Sequence, residues 1–350
     1  MDLISQLNEL KRKVDFNTYD ISVKELISMI SENIIDIAPE YQRQFRWKED
    51  RQSELIESIF LGIPIPSLFM ATNNDGSWEL IDGVQRLSSI IHFAGSDDAR
   101  SKAGLLDKIR NKAIDNLKLS GLGKLSSFNN KLFTDLPKTV QLEFLLKPMK
   151  ITTLSDKSDK NVRFDLFERL NTGGVVLTPQ EIRSCVYRGR FNDFLKELSK
   201  TDDFLQTIKL TETQHSDGTR EELVLRFFAF FENYEQFDHS VVDFLNSYME
   251  KSSIKFDYET NRKIFSKTFS QLKNLPNGIT KKRNTTPINL FEGVAVGAAL
   301  ALQVSETLIL ENANEWILGD LLLPHISGAT NTKSKVIGRI EYCRDKFLGK

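Results

Sequence analysis

The sequence is poor in the residues that build metal and redox centres. Two cysteines, Cys185 and Cys343, and four histidines, His92, His215, His239 and His325, are scattered through 350 residues. No Cys-x-x-Cys pair or His/Cys cluster occurs, so neither a zinc site nor a disulfide framework organises the chain. Cys185, flanked by apolar and basic residues, reads as a buried structural thiol, and the histidines read as structural or exposed. Long apolar runs are missing too. Val294 to Val304, bounded by Glu292 and Glu306, falls short of the roughly 20 residues of a membrane span and reads as a buried helix. The start, Met1-Asp2-Leu3-Ile4, lacks the charged-then-apolar pattern of a signal peptide, so a cytoplasmic protein without a membrane partner is expected. Excess charge is absent: 47 basic residues face 48 acidic ones, for a net charge of −1. That disfavours a generic DNA-coating protein and leaves room for a local basic patch. No Gly-x-x-x-x-Gly-Lys-Ser/Thr loop occurs, which excludes a Walker-type ATPase.

Phenylalanine, by contrast, is abundant at 24 residues against 3 Trp and 7 Tyr, so ring packing is expected to carry much of the core. The stretch from Pro39 to Gly95 organises the rest. Ser22 to Asn33 has helical spacing, and Ile34 to Ala38 is a short β-rich run. The polar segment Pro39 to Trp47 follows, then a helix over Glu49 to Phe60 that Gly62 ends. Ser67 to Thr72 and Ser77 to Ile81 read as a hairpin around Asn73-Asn74-Asp75-Gly76. Asp82-Gly83 breaks the return strand, and Val84 to Phe93 is helical. A polar, weakly patterned insertion covers about 95–135. Leu136 to Leu146 reads as a helix, Met149 to Leu154 as a closing strand and Asn161 to Leu170 as a helix stopped by Gly173-Gly174.

From Thr178 onward the pattern is helical. Thr178, Pro179 and Glu181 spell an N-cap, a first-turn proline and a capping box. Helices are expected over 191–198, 221–234, 241–250, 261–272, 287–308, 314–321 and 333–347. The fold class is therefore α+β: a domain over 1–175 with a small mixed sheet, then an all-α domain over 176–350.

Polar and basic residues crowd both ends of the organising stretch, which read as two walls of one anion site. Asp82 and Gly83 sit at a strand-to-helix junction, where exposed amides and the helix dipole favour phosphate. Gly83 lets backbone approach a ligand. Arg86, one turn on, offers a bidentate fork. Asp82 suits Mg²⁺ or the orientation of an attacking water, and Gln85 a hydrogen bond to that water or to a base. Tyr41, Gln42 and Arg43 form the other wall, and Asn171 or Arg169 would reach in from the Gly173-Gly174 loop. The plain structural alternative is an Asp82 N-cap paired with Arg86 four residues on. Arg183, Arg188 and Arg190 fall close together and are candidate DNA-phosphate contacts, balanced against a solvated surface. Lys281-Lys282-Arg283 reads as solvated surface.

Five ordered motifs carry a resemblance. They are Pro39-x-Tyr41-Gln42-Arg43-x-Phe45-x-Trp47, Ile63-Pro64-Ile65-Pro66, Ile81-Asp82-Gly83-x-Gln85-Arg86, Phe167-Glu168-Arg169-Leu170-Asn171-Thr172-Gly173-Gly174 and Leu177-Thr178-x-x-Glu181-Ile182-Arg183. The set resembles the DUF-262 domain family, which includes the small-subunit half of the GmrSD modification-dependent restriction enzymes and the N-terminal half of the phosphorothioate-sensing protein SspE. The resemblance spans roughly 20–235. It implies a ParB/sulfiredoxin-like fold and binding and hydrolysis of a nucleoside triphosphate at the family signature, coupled to restriction of phage DNA. Val84 departs from the family signature Asp-Gly-Gln-Gln-Arg at its first Gln. The C-terminal part shows no pattern of a His-Asn-His nuclease, so cleavage is expected from a separately encoded effector. A sensor that binds nucleotide or modified DNA without turnover, and a helical adaptor, are the competing readings. The oligomeric state is left open, a homo-oligomer included.

Overall fold

The computed structural model describes residue 3 and residues 16–37, 47–73, 75–107, 112–155, 164, 168–169, 178–215, 217–281 and 285–350. Two compact units divide the chain, Met1–Val176 and Leu177–Lys350. The first-wall residues Tyr41, Gln42 and Arg43, and Asn171 with its glycine loop, lie outside the described residues. So does most of the helix expected over 161–170.

The first unit is a five-stranded mixed sheet with helices packed on it. Its strands are β1 (Phe16–Ser22), β2 (Ile35–Asp36), β3 (Leu68–Thr72), β4 (Trp78–Asp82) and β7 (Pro148–Leu154), in the order β1-β7-β3-β4-β2. The pairs β1/β7 and β3/β4 are antiparallel, while β7/β3 and β4/β2 are parallel. The short strands β5 (Leu106–Asp107) and β6 (Lys112–Ala113) pair separately. Ser22 caps α1 (Val23–Ser31), accepting from the Glu25 N–H, and Val23, Leu26 and Ile30 are its buried stripe. Helix α2 (Glu49–Leu61) ends at Gly62, whose φ of 69° supplies the left-handed cap. Helix α3 (Val84–Ala94) follows β4 directly. Phe60 of α2 and Phe93 of α3 meet Phe144 of α5 (Lys138–Leu145) at ring separations of 4.9 and 5.3 Å and each other at 6.4 Å.

The segment expected as an insertion is built into this core. Its helix α4 (Asp97–Lys102) leads to Leu105, Leu117, Leu119 and Leu122, all buried. The polar stripe Asp50, Ser53 and Glu57 of α2 takes up its loop: Ser120 Oγ donates to Asp50 Oδ1 (2.7 Å), the Ser120 N–H to Ser53 Oγ (3.0 Å), and the Lys124 and Leu125 N–H groups to Glu57 Oε1 (2.9 and 2.7 Å). The loop is thus anchored chiefly through its main-chain N–H groups, which polar side chains of α2 satisfy.

Helices make up the second unit: α6 (Pro179–Val186), α7 (Arg190–Leu198), α8 (Asp202–Thr207), α9 (Thr219–Asn233), α10 (Val241–Ile254), α11 (Tyr258–Leu272), α12 (Ile288–Phe291), α13 (Gly297–Ala301), α14 (Ala313–Ile317), α15 (Leu323–Ile326) and α16 (Lys333–Phe347). Thr178 and Glu181 form the expected capping box. Phe204, Phe227, Phe265, Phe269 and Phe291 make one ring cluster. The single helix expected over 287–308 instead widens to a π turn at Glu292–Val296, ends at Ala301, and leaves Val304 exposed. There Gly297 lets α16 approach: a Cβ would meet Arg344 N at 2.7 Å and Cys343 Cβ at 2.8 Å. Cys185 and Cys343 are both buried and not joined in a disulfide. Among the described residues no helix is long and apolar enough to cross a membrane.

Candidate functional site

The β4–α3 junction is shaped before any side chain is considered. The β3/β4 register pairs Met70 with Leu80 but Phe69 with Asp82, so Ile81 is an extra residue. Such a bulge bends the strand and re-aims the residue after it. Gly83 then turns the chain into α3 with φ of 106°. A side chain there would be strained by that backbone, and its Cβ would collide with Leu68 Cδ2 and sit 3.3 Å from Arg86 Nη2. The result sets the Asp82 carboxylate, about a third exposed, beside the amides that open α3.

Arg86 Nη2 donates to Asp82 Oδ2 at 2.5 Å, and Nη1 donates to the carbonyls of Pro66 (2.6 Å) and Ser67 (3.2 Å). Its side chain is only 13% exposed. The guanidinium therefore ties the Pro64-Ile65-Pro66 segment to the junction, and two of its nitrogens are committed to that. The i,i+4 pair of the plain structural reading is present, but half-buried and extended to main chain. Gln85 Oε1 accepts from the Trp47 N–H at 3.2 Å, so Gln85 holds the residue at which the first wall ends. Arg51 lies over the Trp47 ring, Cζ 4.6 Å from its centroid.

Two residues that sequence reasoning missed stand behind this contact. Gln52 Nε2 donates to the Trp47 carbonyl at 2.8 Å. Its Oε1 lies 2.7 Å from His92 Nδ1, and His92 Nε2 lies 2.9 Å from the Asp115 carbonyl. Burial draws the His92 pKa below the usual histidine value; the Asp115 carbonyl and Glu49 work against it, and Arg100 with it. Both residues occupy buried positions on helices, so neither carried a sequence signal beyond polarity at a core-facing position.

The three candidate DNA contacts separate. Arg188 and Arg190 are exposed, and Arg190 Cζ lies 4.1 Å over the Tyr258 ring. Arg183 is 1% exposed and is corrected from a surface contact to a buried ion-pair member. Its Nη2 donates to Glu222 Oε2 (2.6 Å) and its Nε to Gln180 Oε1 (2.9 Å). The pairing continues: Glu222 Oε1 accepts from Arg226 (2.6 Å), Arg226 Nη1 donates to Glu292 Oε1 (2.5 Å), and Glu292 Oε2 accepts from Arg339. Burial pulls the Arg183 guanidinium down to about 10 against the pull of Glu222. Desolvation raises the Glu222 carboxyl, but Arg226 and Arg183 outweigh it and hold it below the usual range. A helix buried all round, Gln180 to Val186, explains why spacing could not place Arg183.

Among the described residues no group of three His, Cys, Asp or Glu could cage a metal. A lone carboxylate fits the other common arrangement, in which Mg²⁺ arrives on substrate phosphates and takes one protein ligand. Asp82 meets that requirement at the junction.

Residues 23–188 match the family described as GmrSD restriction endonuclease, N-terminal domain. No curated protein matches the chain significantly. The solved structure of a Pnob8-like ParB-N domain aligns at 13% identity over 96% of this chain and 98% of that one, with a TM-score of 0.23.

Proposed function

We propose that this chain, whose residues 23–188 form a domain of the GmrSD restriction endonuclease N-terminal family, is the regulatory component of a restriction or anti-phage system and binds a nucleoside triphosphate at its β4–α3 junction. The observation that carries the reading is the combination there of a bulge, a glycine in a left-handed conformation, a helix N-terminus without a side-chain cap and the Asp82–Arg86 pair. Phosphate oxygens would take the first-turn amides of α3, with Gly83 allowing close approach. Asp82 would hold Mg²⁺, whose chemistry is to neutralise phosphate charge, and would orient water toward the terminal phosphorus. Arg86 keeps the carboxylate aimed, and Tyr41, Gln42, Arg43 and Asn171 are proposed to complete the ligand contacts. Arg188 and Arg190 are proposed to meet DNA phosphate, and cleavage is assigned to a separately encoded effector.

A second reading, a sensor without turnover, is favoured by one observation. Arg86 already commits both terminal nitrogens to Asp82, Pro66 and Ser67, and Val84 adds no polar group beside it. Phosphate release from ATP, GTP, CTP and UTP with Mg²⁺, for wild type beside Asp82→Ala, separates the two. Turnover lost in the variant supports hydrolysis. Binding without turnover supports the sensor.

A further inference from the structure

Strand β1 is an edge of the first unit's sheet. Strand β7 lies on one side of it, and among the described residues no strand lies on the other. The register tells which of its groups face outward. The Val23 N–H donates to the Lys147 carbonyl, and Ser22 stands opposite Pro148, which has no N–H to give. Hydrogen-bonded and non-hydrogen-bonded pairs alternate along an antiparallel ladder. Ile21, Tyr19 and Asn17 therefore bond to β7, while Asp20, Thr18 and Phe16 turn their N–H and C=O groups away from it. Those outward groups have no partner among the described residues.

Edge strands of soluble proteins are normally short, bulged or guarded by lysine or proline. The opposite edge, β2, is only two residues long. By contrast β1 has seven residues, none of them Lys, Pro or Gly, and it follows β7 without a register shift. Phe16 to Asp20 are all exposed, Phe16 at 58% and Tyr19 at 40%. The strand's single charge, Asp20, sits opposite Lys150 of β7, which offsets it.

We infer that β1 pairs with β1 of a second copy of this chain, antiparallel about a two-fold axis at Tyr19. In that register Phe16 of one copy faces Ser22 of the other, and Thr18 faces Asp20. Outward groups then meet outward groups along the whole strand, as the ladder requires. Charge and length select this axis. An axis at Asp20 would oppose two carboxylates, and one at Thr18 would shorten the ladder. Five strands from each copy join in one continuous sheet, and the bare edge is gone. The pairing does not depend on the nucleotide reading.

Sedimentation of the full chain and two kinds of substitution test this. Thr18→Pro removes an outward N–H and leaves the bonds to β7, a placement that an edge tolerates. The lost bond occurs twice per dimer, so the dissociation constant should rise at least about tenfold while the variant still unfolds cooperatively. Tyr19→Cys sets two thiols at a non-hydrogen-bonded pair with Cα atoms about 4.5 Å apart, within disulfide reach. Mild oxidation should crosslink it. Asn17→Cys leaves its two Cα atoms roughly 13 Å apart along the strands and should stay uncrosslinked. Cys185 and Cys343 are buried and add little background. A dimer that Thr18→Pro loosens and Tyr19→Cys traps is the expected result. Should Thr18→Pro fail to fold, the crosslinking pair decides alone. A monomeric wild type with no crosslink in Tyr19→Cys leaves the edge to a strand of another protein and overturns the inference. A dimer that neither substitution alters or traps associates through another surface and overturns it equally.

Discussion

Asp82 and Arg86 stand one helical turn apart and meet at 2.5 Å, Oδ2 to Nη2, across a glycine whose missing side chain makes room for the contact. The same guanidinium reaches back to the Pro66 and Ser67 carbonyls. One residue thus joins strand end, helix start and the preceding loop. A lysine keeps the charge but has one nitrogen where the fork has several. Arg86→Lys is expected to lose the Pro66 and Ser67 bonds, to destabilise the first unit by roughly 1–3 kcal/mol, and to weaken nucleotide binding. Urea unfolding and a binding titration on the same preparation check both effects.

Gly83→Ala tests the junction without touching a charge. Its φ of 106° is costly for alanine, on the order of 1–3 kcal/mol, and the new methyl strikes Leu68. Adding Leu68→Ala should relieve the collision but not the backbone strain, so the double variant recovers only part of the loss. Complete recovery in thermal unfolding would show that φ at this position is not limiting.

In the second unit, Glu292 bridges Arg226 and Arg339 from inside a π turn and is 2% exposed. Glu292→Gln leaves two buried guanidinium groups short of a counter-charge and should cost about 3–5 kcal/mol. The ladder also sets an acid limit. Glu222 has a folded pKa below its unfolded value, so the unfolded chain takes the proton first. The stabilisation is complete above the ordinary glutamate range, about pH 4.3, and is lost as pH falls through the lowered value. Unfolding of wild type and Glu222→Gln across that range should converge as the pH drops.

The three arginines near residue 185 should behave oppositely. Arg188→Ala and Arg190→Ala are expected to leave unfolding nearly unchanged, to weaken binding to duplex DNA, and to lower the salt slope by about 0.9 per lost phosphate contact. Arg183→Ala should destabilise the second unit by several kcal/mol, because Glu222 loses a buried partner. Salt-dependent DNA titrations beside thermal melts distinguish the two classes.

Much of this was legible in the chain. The stop at Gly62 and the box of Thr178 and Glu181 depend on local chemistry, and the structure has both. Residues 95–135 read only as a weakly patterned insertion because what holds their loop is a set of bonds to α2, a long-range fact that no local window contains. Arg183 misled, and Gln52 carried no signal, for a related reason. A buried polar side chain is recognisable only from its partner, and Glu222 and Trp47 come from distant or irregular segments. The bulge at Ile81 has no sequence signature, yet it is what aims Asp82.

Calorimetric titration of ATP, GTP, CTP and UTP with Mg²⁺ into wild type, Asp82→Ala and Gly83→Ala addresses the β4–α3 site most directly. Binding of at least one nucleotide by wild type, weakened or lost in both variants while each still melts cooperatively, is the predicted result. No binding by wild type, or equal binding by folded variants, would contradict a nucleotide site at this junction.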